Sequence, residues 1–240
     1  MIKAAQEAEF LAAVRGLPFF GGRQESVFRA YCRLPALARF YLVPGGALSV
    51  LCGGALLWCE PAAAKEAALF LQSCGAAEVL SNLDTLPLLG YDRKECWVMA
   101  FEGEAAPGAL RALRPEELLS LFTDRRGEER DEALSDLSVR FARGGLELWG
   151  LYEGETLTAA LAAETAAGEC YLSFVRTRDG AQRKGYGGAL LRRAAARYRG
   201  LPCYLLCEAD KRAFYEKNGF FAAACQWRYQ KRDEKRAARS

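Results

Sequence analysis

The sequence predicts an α/β protein with a mixed central sheet flanked by helices, arranged as two halves. Three observations predict it. Short apolar runs of strand character alternate with stretches of helical periodicity. Turns rich in glycine and proline separate them. The order of elements in the first hundred residues then recurs, in degenerate form, in the remainder.

Composition bounds the function. The chain has 240 residues, enough for one substantial core or two smaller ones. Its apolar fraction of 51% is that of a folding globular chain, and a net charge of +3 is too small to argue for nucleic acid. No secretory signal is visible, and no apolar run is long enough to span a membrane. The nine cysteines are odd in number and scattered through apolar context, as expected of buried free thiols in a reducing compartment, here the cytoplasm. Cys203 and Cys207 have no companion pair, so no metal site is expected. The absence of histidine removes histidine-dependent triads, HExxH sites and any imidazole base.

In chain order, Glu7 to Val14 reads as a helix closed by Leu17-Pro18, and Gln24 to Cys32 as a second with Val27, Phe28 and Tyr31 as its apolar stripe. Strands follow at Ala38 to Val43, Ala47 to Cys52 and Ala55 to Cys59, separated by Pro44-Gly45-Gly46 and Gly53-Gly54. Pro61 opens a helix that runs to about Cys74, because proline is tolerated where its missing N–H has no partner anyway. Glu78 to Ser81 and Cys96 to Phe101 are further strands. The linker Gly103 to Gly108 divides the chain into halves at 1–105 and 110–240.

The second half is expected to begin with a helix over Pro115 to Phe122 and a charged loop over Asp124 to Asp131, open to continuation as helix. Strands are expected at Ser138 to Ala142, Leu146 to Tyr152, Thr156 to Ala163 and Glu169 to Thr177, with Gly144-Gly145 between the first two. After a glycine loop come a helix over Ala189 to Tyr198, a strand over Cys203 to Cys207, a helix over Lys211 to Lys217 and a strand over Phe221 to Tyr229. The basic run Lys231 to Arg236 reads as a solvated end. Sliding one half on the other sets Leu86 opposite Tyr215 and Leu56-Leu57-Trp58 where the later half has its glycine loop.

That loop, Gln182-Arg183-Lys184-Gly185-Tyr186-Gly187-Gly188, stands between a strand and a helix. This order makes an anion site, because a helix start offers unpaired N–H groups and the positive end of its dipole. Gly185, Gly187 and Gly188 allow positive φ and close ligand approach, and Arg183 and Lys184 add charge. The spacing is neither GxGxxG nor GxxxxGK[ST], and an ordinary glycine-rich turn has the same composition.

With these residues in view, the stretch from about Glu169 to Phe220 resembles the GCN5-related N-acetyltransferase (GNAT) superfamily. Gln182, Gly185 and Gly187 match its acyl-CoA loop, and Phe214-Tyr215-Glu216-Lys217-Asn218-Gly219-Phe220 matches its late signature. The resemblance implies a domain of the acyl-CoA N-acyltransferase type over 110–240 and a degenerate GNAT-like copy over 1–105. It implies acetyl-CoA as cosubstrate, with the backbone at Val175, Arg176 and Thr177 pairing with pantetheine. Gln182 belongs to the same cofactor loop, in which Arg183, Lys184, Gly185, Tyr186, Gly187 and Gly188 hold the pyrophosphate, and Phe214 is counted with the cofactor-binding residues. The chain departs from the family at Glu208, where many members have Asn, and at Lys211, where a small residue is usual.

Amine attack on a thioester needs a neutral amine, a polarised carbonyl and a proton for the departing thiolate. Tyr215 is the choice for the last task, since a phenol is a donor whose pKa is near that of a thiol; a core tyrosine in a helix is the plainer reading. With no histidine, the base must be a carboxylate, a water chain or solvent; Glu169 is the leading candidate with Glu164 and Glu208 as close rivals, each equally readable as a solvated strand end. Arg192, Arg193 and Arg197 read as a solvated helix face, and Trp58, Trp97, Trp149 and Trp227 as core or junction residues. The function expected is acetyl transfer to a small-molecule amine or an exposed protein amine, with a noncatalytic CoA-binding or regulatory module as the alternative. Neither nucleic acid nor membrane is expected as a partner, and a homodimer is compatible with the sequence.

Overall fold

A computed structural model describes residues 1–143 and 145–232. Gly144, and Asp233 to Arg236 of the basic tail, lie outside the described residues. The chain divides into two compact units, one formed by Met1–Trp97 together with the segment from Ala224, the other by Val98–Ala223. Gly103 to Gly108 falls in the second unit.

The first unit contains β1 (Lys3–Ala4), α1 (Glu7–Val14), α2 (Gly21–Tyr31), β2 (Ala38–Val43), β3 (Gly46–Leu51), β4 (Gly54–Trp58), α3 (Ala64–Ser73), β5 (Glu78–Ser81) and most of β6 (Tyr91–Phe101). β2, β3 and β4 form an antiparallel meander, and α3 then carries the chain over to β5, which pairs parallel to β4. Pro61 starts a short 3₁₀ turn, Pro61–Ala63, that leads into α3. The apolar faces of the strands and α3 close over Leu48, Leu57, Leu71 and Val79, all with no solvent exposure. On another side Phe10, Phe28 and Phe40 meet ring to ring at 4.8–5.2 Å.

The second unit contains β7 (Arg111–Ala112), α4 (Pro115–Leu119), α5 (Gly127–Ala142), β8 (Glu147–Glu153), β9 (Thr156–Ala166), β10 (Glu169–Thr177), α6 (Tyr186–Arg197), β11 (Cys203–Cys207) and α7 (Ala209–Lys217), with the start of β12 (Phe220–Lys231). The pattern is the same: β8, β9 and β10 form an antiparallel meander, and α6 crosses over to β11, parallel to β10. α4 and α5 cover one face, packing Leu118, Leu119 and Leu137 against Leu148, Ala160 and Ala162. α6 packs against β8, β9 and β10 with Leu190, Leu191 and Ala194 fully buried.

One expected strand is helix instead. Ser138 to Ala142 forms the last turn of α5. Its local alternation resembles a strand, yet Leu134, Leu137 and Phe141 continue the helical spacing begun at Arg130, and Leu137 is fully buried on the sheet-facing side. The helix expected to Phe122 stops at Leu119. Among the described residues no helix is long and apolar enough to cross a membrane. All nine cysteines are free, but Cys32, Cys52 and Cys74 are exposed rather than buried.

The later part of β12 completes the first unit by pairing antiparallel with β5, Trp227 opposite Ser81 and Gln230 opposite Glu78. There the Tyr229 hydroxyl accepts from Leu86 N at 3.0 Å and donates to the Leu83 carbonyl at 2.7 Å, all within buried surroundings. Tyr229→Phe leaves that donor and acceptor buried without a partner. It should cost about 1–3 kcal/mol, read as a lowered urea midpoint with unchanged slope.

Candidate functional site

The site begins where a ladder stops. β10 has nine residues and β11 has five, but they pair at only three positions, Cys170–Cys203, Tyr171–Tyr204 and Leu172–Leu205. Beyond Leu172 the β10 edge that faced β11 is left without a strand. On its other edge β10 stays paired with β9, although the register slips between Ser173 and Arg176. Phe174 takes a left-handed φ of 50° at this bulge, a conformation costly for a large side chain. Packing offsets it: the Phe174 ring meets Phe122 edge-on at 5.8 Å, and Arg125 lies over both rings. Val175, Arg176 and Thr177 follow, half-buried, along the open edge.

The glycine loop continues from that edge into α6. Gly185 is the helix N-cap with φ 88°, and Arg183 also has a left-handed φ, 63°. Gly187 and Gly188 lie in the first helical turn, without positive φ, and they are small because of what touches them. A Cβ at Gly187 would stand 3.0 Å from Thr177 Oγ1 and 3.1 Å from the Phe214 ring; one at Gly188 would stand 2.0 Å from Asn218 Oδ1. The first N–H groups of α6 have no intrahelical acceptor, and exposed Arg183 and Lys184 stand beside them. The Gln182 amide turns back to donate to Asp179 at 3.0 Å. Tyr186 stands beside Glu153, whose hydrogen bond holds the phenol above its ordinary pKa.

Tyr215 is on α7, 7% exposed, with its ring against Phe214 at 5.1 Å and Phe220 at 5.8 Å. Burial pushes its pKa well above that of an ordinary phenol, and Cys207 and Tyr171 add to the shift. These two neighbours flank the point where the β10–β11 ladder opens.

The three predicted carboxylates stand on different terms. Glu208 follows Cys207 directly and is the N-cap residue of α7. Glu169 lies two residues before Tyr171, half-buried at the start of β10. Glu164 is opposite Tyr171 in the β9–β10 ladder and is 1% exposed. It is bound to Arg140 of α5, which also meets Asp136 at 3.0 Å. Burial works against the Arg140 charge, but the Glu164 and Asp136 carboxylates outweigh it and raise its pKa.

Sequence periodicity missed several partners. The helix-face arginines, Arg197 exposed and the others half-buried, also have partners: Arg192 donates to Asn218 at 3.0 Å, Arg193 to the Ala109 carbonyl at 3.2 Å, and Arg197 lies 3.7 Å over the Trp149 ring. Arg140 was hidden inside the stretch read as a strand. Asn218 sits in the late signature at a position with no assigned role. In the first unit Leu56 to Trp58 are strand, so the topological counterpart of the glycine loop is Cys59 to Ala63, between β4 and α3. A separate open cavity of about 540 Å³ lies between α4 and the β8–β9 turn, lined by Glu117, Tyr152, Glu155 and Arg178 among others. None of the residues assigned to cofactor or catalysis lines it.

A sequence model of the acetyltransferase (GNAT) domain family matches residues 145–221, the span from β8 to the start of β12. No curated protein sequence matches the chain. Among solved structures, a Drosophila protein is similar at a TM-score of 0.62 and 16% identity, covering 95% of this chain and 98% of its own. A GCN5-related N-acetyltransferase from Sphaerobacter thermophilus is similar at 0.57 and 16%, covering 96% and 95%. One from Kribbella flavida is similar at 0.57 and 14%, covering 89% and 97%. At these identities the structures show the fold alone. The chain thus resembles the GNAT acetyltransferase superfamily in the sequence of its second unit and in fold.

Two outcomes follow from the buried groups. Arg140→Met strands the Glu164 carboxylate and should cost about 3–5 kcal/mol in urea unfolding, most of it restored in Arg140→Met/Glu164→Gln. Tyr198 and Tyr215, both raised by burial, keep their protons in the fold where unfolded phenols ionise near pH 10. The unfolded chain then binds fewer protons than the native one, so stability should fall as pH rises above about 10. Urea midpoints between pH 8.5 and 10.5 should show the fall, and Tyr215→Phe should lessen it.

Proposed function

We propose that the protein is an acetyl-CoA-dependent N-acetyltransferase that acetylates a primary amine by direct attack, with Tyr215 as general acid. The observation that carries the reading is the end of the β10–β11 ladder after Leu172, one strand-length before an α6 start with uncommitted N–H groups. An open strand edge takes an extended amide-bearing chain by strand addition, and a helix start takes a phosphate. The residues fit such a ligand. Val175, Arg176 and Thr177 offer backbone groups to pantetheine; Arg183, Lys184 and the N–H groups of Gly185 to Gly188 hold the pyrophosphate; Gln182 shapes the loop. Phe214 forms an apolar wall beside Gly187, where any larger residue would fill the cradle.

Bound acetyl-CoA supplies a thioester carbonyl. Tyr215, kept protonated by burial, gives its proton to the departing sulfur, and Cys207 and Tyr171 reinforce the neutral phenol. The base is drawn from Glu208, Glu169 and Glu164. Glu164 is held by Arg140 within the fold, whereas Glu208 and Glu169 stand at a helix start and a strand start. The acceptor is a small amine or an exposed protein amine.

We further read residues 1–105 as a degenerate GNAT-like copy that scaffolds the domain of 110–240. Supporting this, the first unit repeats the meander, crossover and parallel strand of the second, but without an opening: all four residues of β5 pair with β4. After β4, Cys59 N donates to Asn82 and Cys59 O accepts from it, at 3.1 and 3.0 Å. The backbone that would meet a ligand is already occupied.

Acetyl-CoA consumption with alkyl diamines, amino sugars and short peptides is the direct test. Tyr215→Phe should lower kcat about 100-fold or more while the dissociation constant for CoA stays within about twofold. Unchanged turnover in this variant would exclude the phenol as the acid. In Glu→Gln variants at 164, 169 and 208, the base is the one whose loss removes the acidic limb of the rate profile, whereas an amine-binding carboxylate raises KM alone.

A further inference from the structure

We infer that Asn218 is a positioning residue that couples the cofactor loop to the helix bearing Tyr215. The inference rests on the acyl-transfer reading above. Asn218 is the C-cap residue of α7, and its amide makes contacts in three directions. Nδ2 donates to the Phe214 carbonyl at 2.7 Å, one of the carbonyls left without a partner at a helix end. Oδ1 accepts from Arg192 Nη1 of α6 at 3.0 Å. The same Oδ1 occupies the space a Gly188 side chain would take, 2.0 Å from that Cβ position. Gly188 and Arg192 are four residues apart on one helix face, so the amide lies across the first turn of α6.

The adjoining glycine completes the contact. The Phe214 ring rests on Gly187, 3.1 Å from where its Cβ would be, so consecutive residues of the cofactor loop's helix carry consecutive features of α7. Tyr215 follows Phe214 directly. A shift of α6 at the anion site therefore reaches the phenol through the half-buried amide and the Phe214 backbone. The chemistry needs this link because proton donor and thioester are held by different helices, and a misplacement of about 1 Å can cost about 100-fold in rate. A C-cap of purely local value would show only the Phe214 bond. The Arg192 bond and the Gly188 notch point across to the other helix.

The test follows backbone hydrogen exchange with and without CoA, alongside kinetics. In the wild type, CoA should slow exchange in 182–190 and also in 209–217. Asn218→Leu should keep the first protection, with CoA affinity within about threefold, and lose the second; kcat should fall about tenfold or more with little change in KM for acetyl-CoA. Gly188→Ala, which displaces the amide without removing it, should likewise lose the protection of 209–217. Arg192→Met/Asn218→Leu should be no worse than Asn218→Leu alone. Should Asn218→Leu not fold, Arg192→Met alone, on a helix face, should show part of the same loss. If α7 remains protected by CoA in Asn218→Leu, or kcat holds while only the unfolding midpoint drops, Asn218 is a local cap and the inference fails. If CoA protects nothing in 182–190 of the wild type, the acyl-CoA reading itself fails and takes the inference with it.

Discussion

Parallel strands held by a full ladder have no backbone groups to spare, and between β10 and β11 the ladder closes at three pairs and stops. The rest of the second unit is arranged around that interruption. The register slip in β10 turns its backbone, and Phe174 is held in a left-handed conformation by aromatic and guanidinium contacts from the segment between α4 and α5. α6 begins just past the open edge, and α7 brings a buried phenol to its mouth. Each feature is locally unfavourable: an unpaired edge, a strained aromatic residue, a helix start without a side-chain cap, a buried phenol. Their occurrence together is what separates a site from an accumulation of defects.

The electrostatics of the second unit are equally economical. With no histidine in the chain, titratable chemistry rests on phenols and carboxylates. Burial drives Tyr215 toward its neutral form, while the equally buried Glu164 is bound to Arg140. The two groups share buried surroundings and differ in whether a cation stands beside them. The other carboxylates, Glu169 and Glu208, remain at strand and helix ends with solvent access.

Much of the fold was legible because the apolar period changes cleanly between strand and helix. Glu7–Val14, Glu78–Ser81, Glu169–Thr177 and Cys203–Cys207 are bounded by turn residues that leave no choice of register. α5 was not legible in its last turn, where Ser138, Val139, Arg140 and Phe141 alternate like a strand and only the packing of Leu137 decides. The loop was visible in its glycines, but the reason for each glycine was not: positive φ accounts for Gly185, whereas Gly187 and Gly188 answer to Thr177, Phe214 and Asn218, distant in sequence. Arg140 and Asn218 escaped notice for the same reason. A polar residue at a helical position carries no mark of the partner it will meet.

The last strand has a consequence for how the chain is made. The first unit takes the strand paired with β5 from Trp227 to Gln230, nearly a hundred and fifty residues after β5 itself. An N-terminal segment emerging from the ribosome carries α1 to β5 but lacks the strand that covers Leu80 and the tyrosine that ties down Leu83 and Leu86. It must wait, with that edge exposed, while the whole second unit is synthesised. Vectorial folding, in which domains are finished in order of their appearance, is therefore closed to this protein. Its first unit can be completed only after its second has been made.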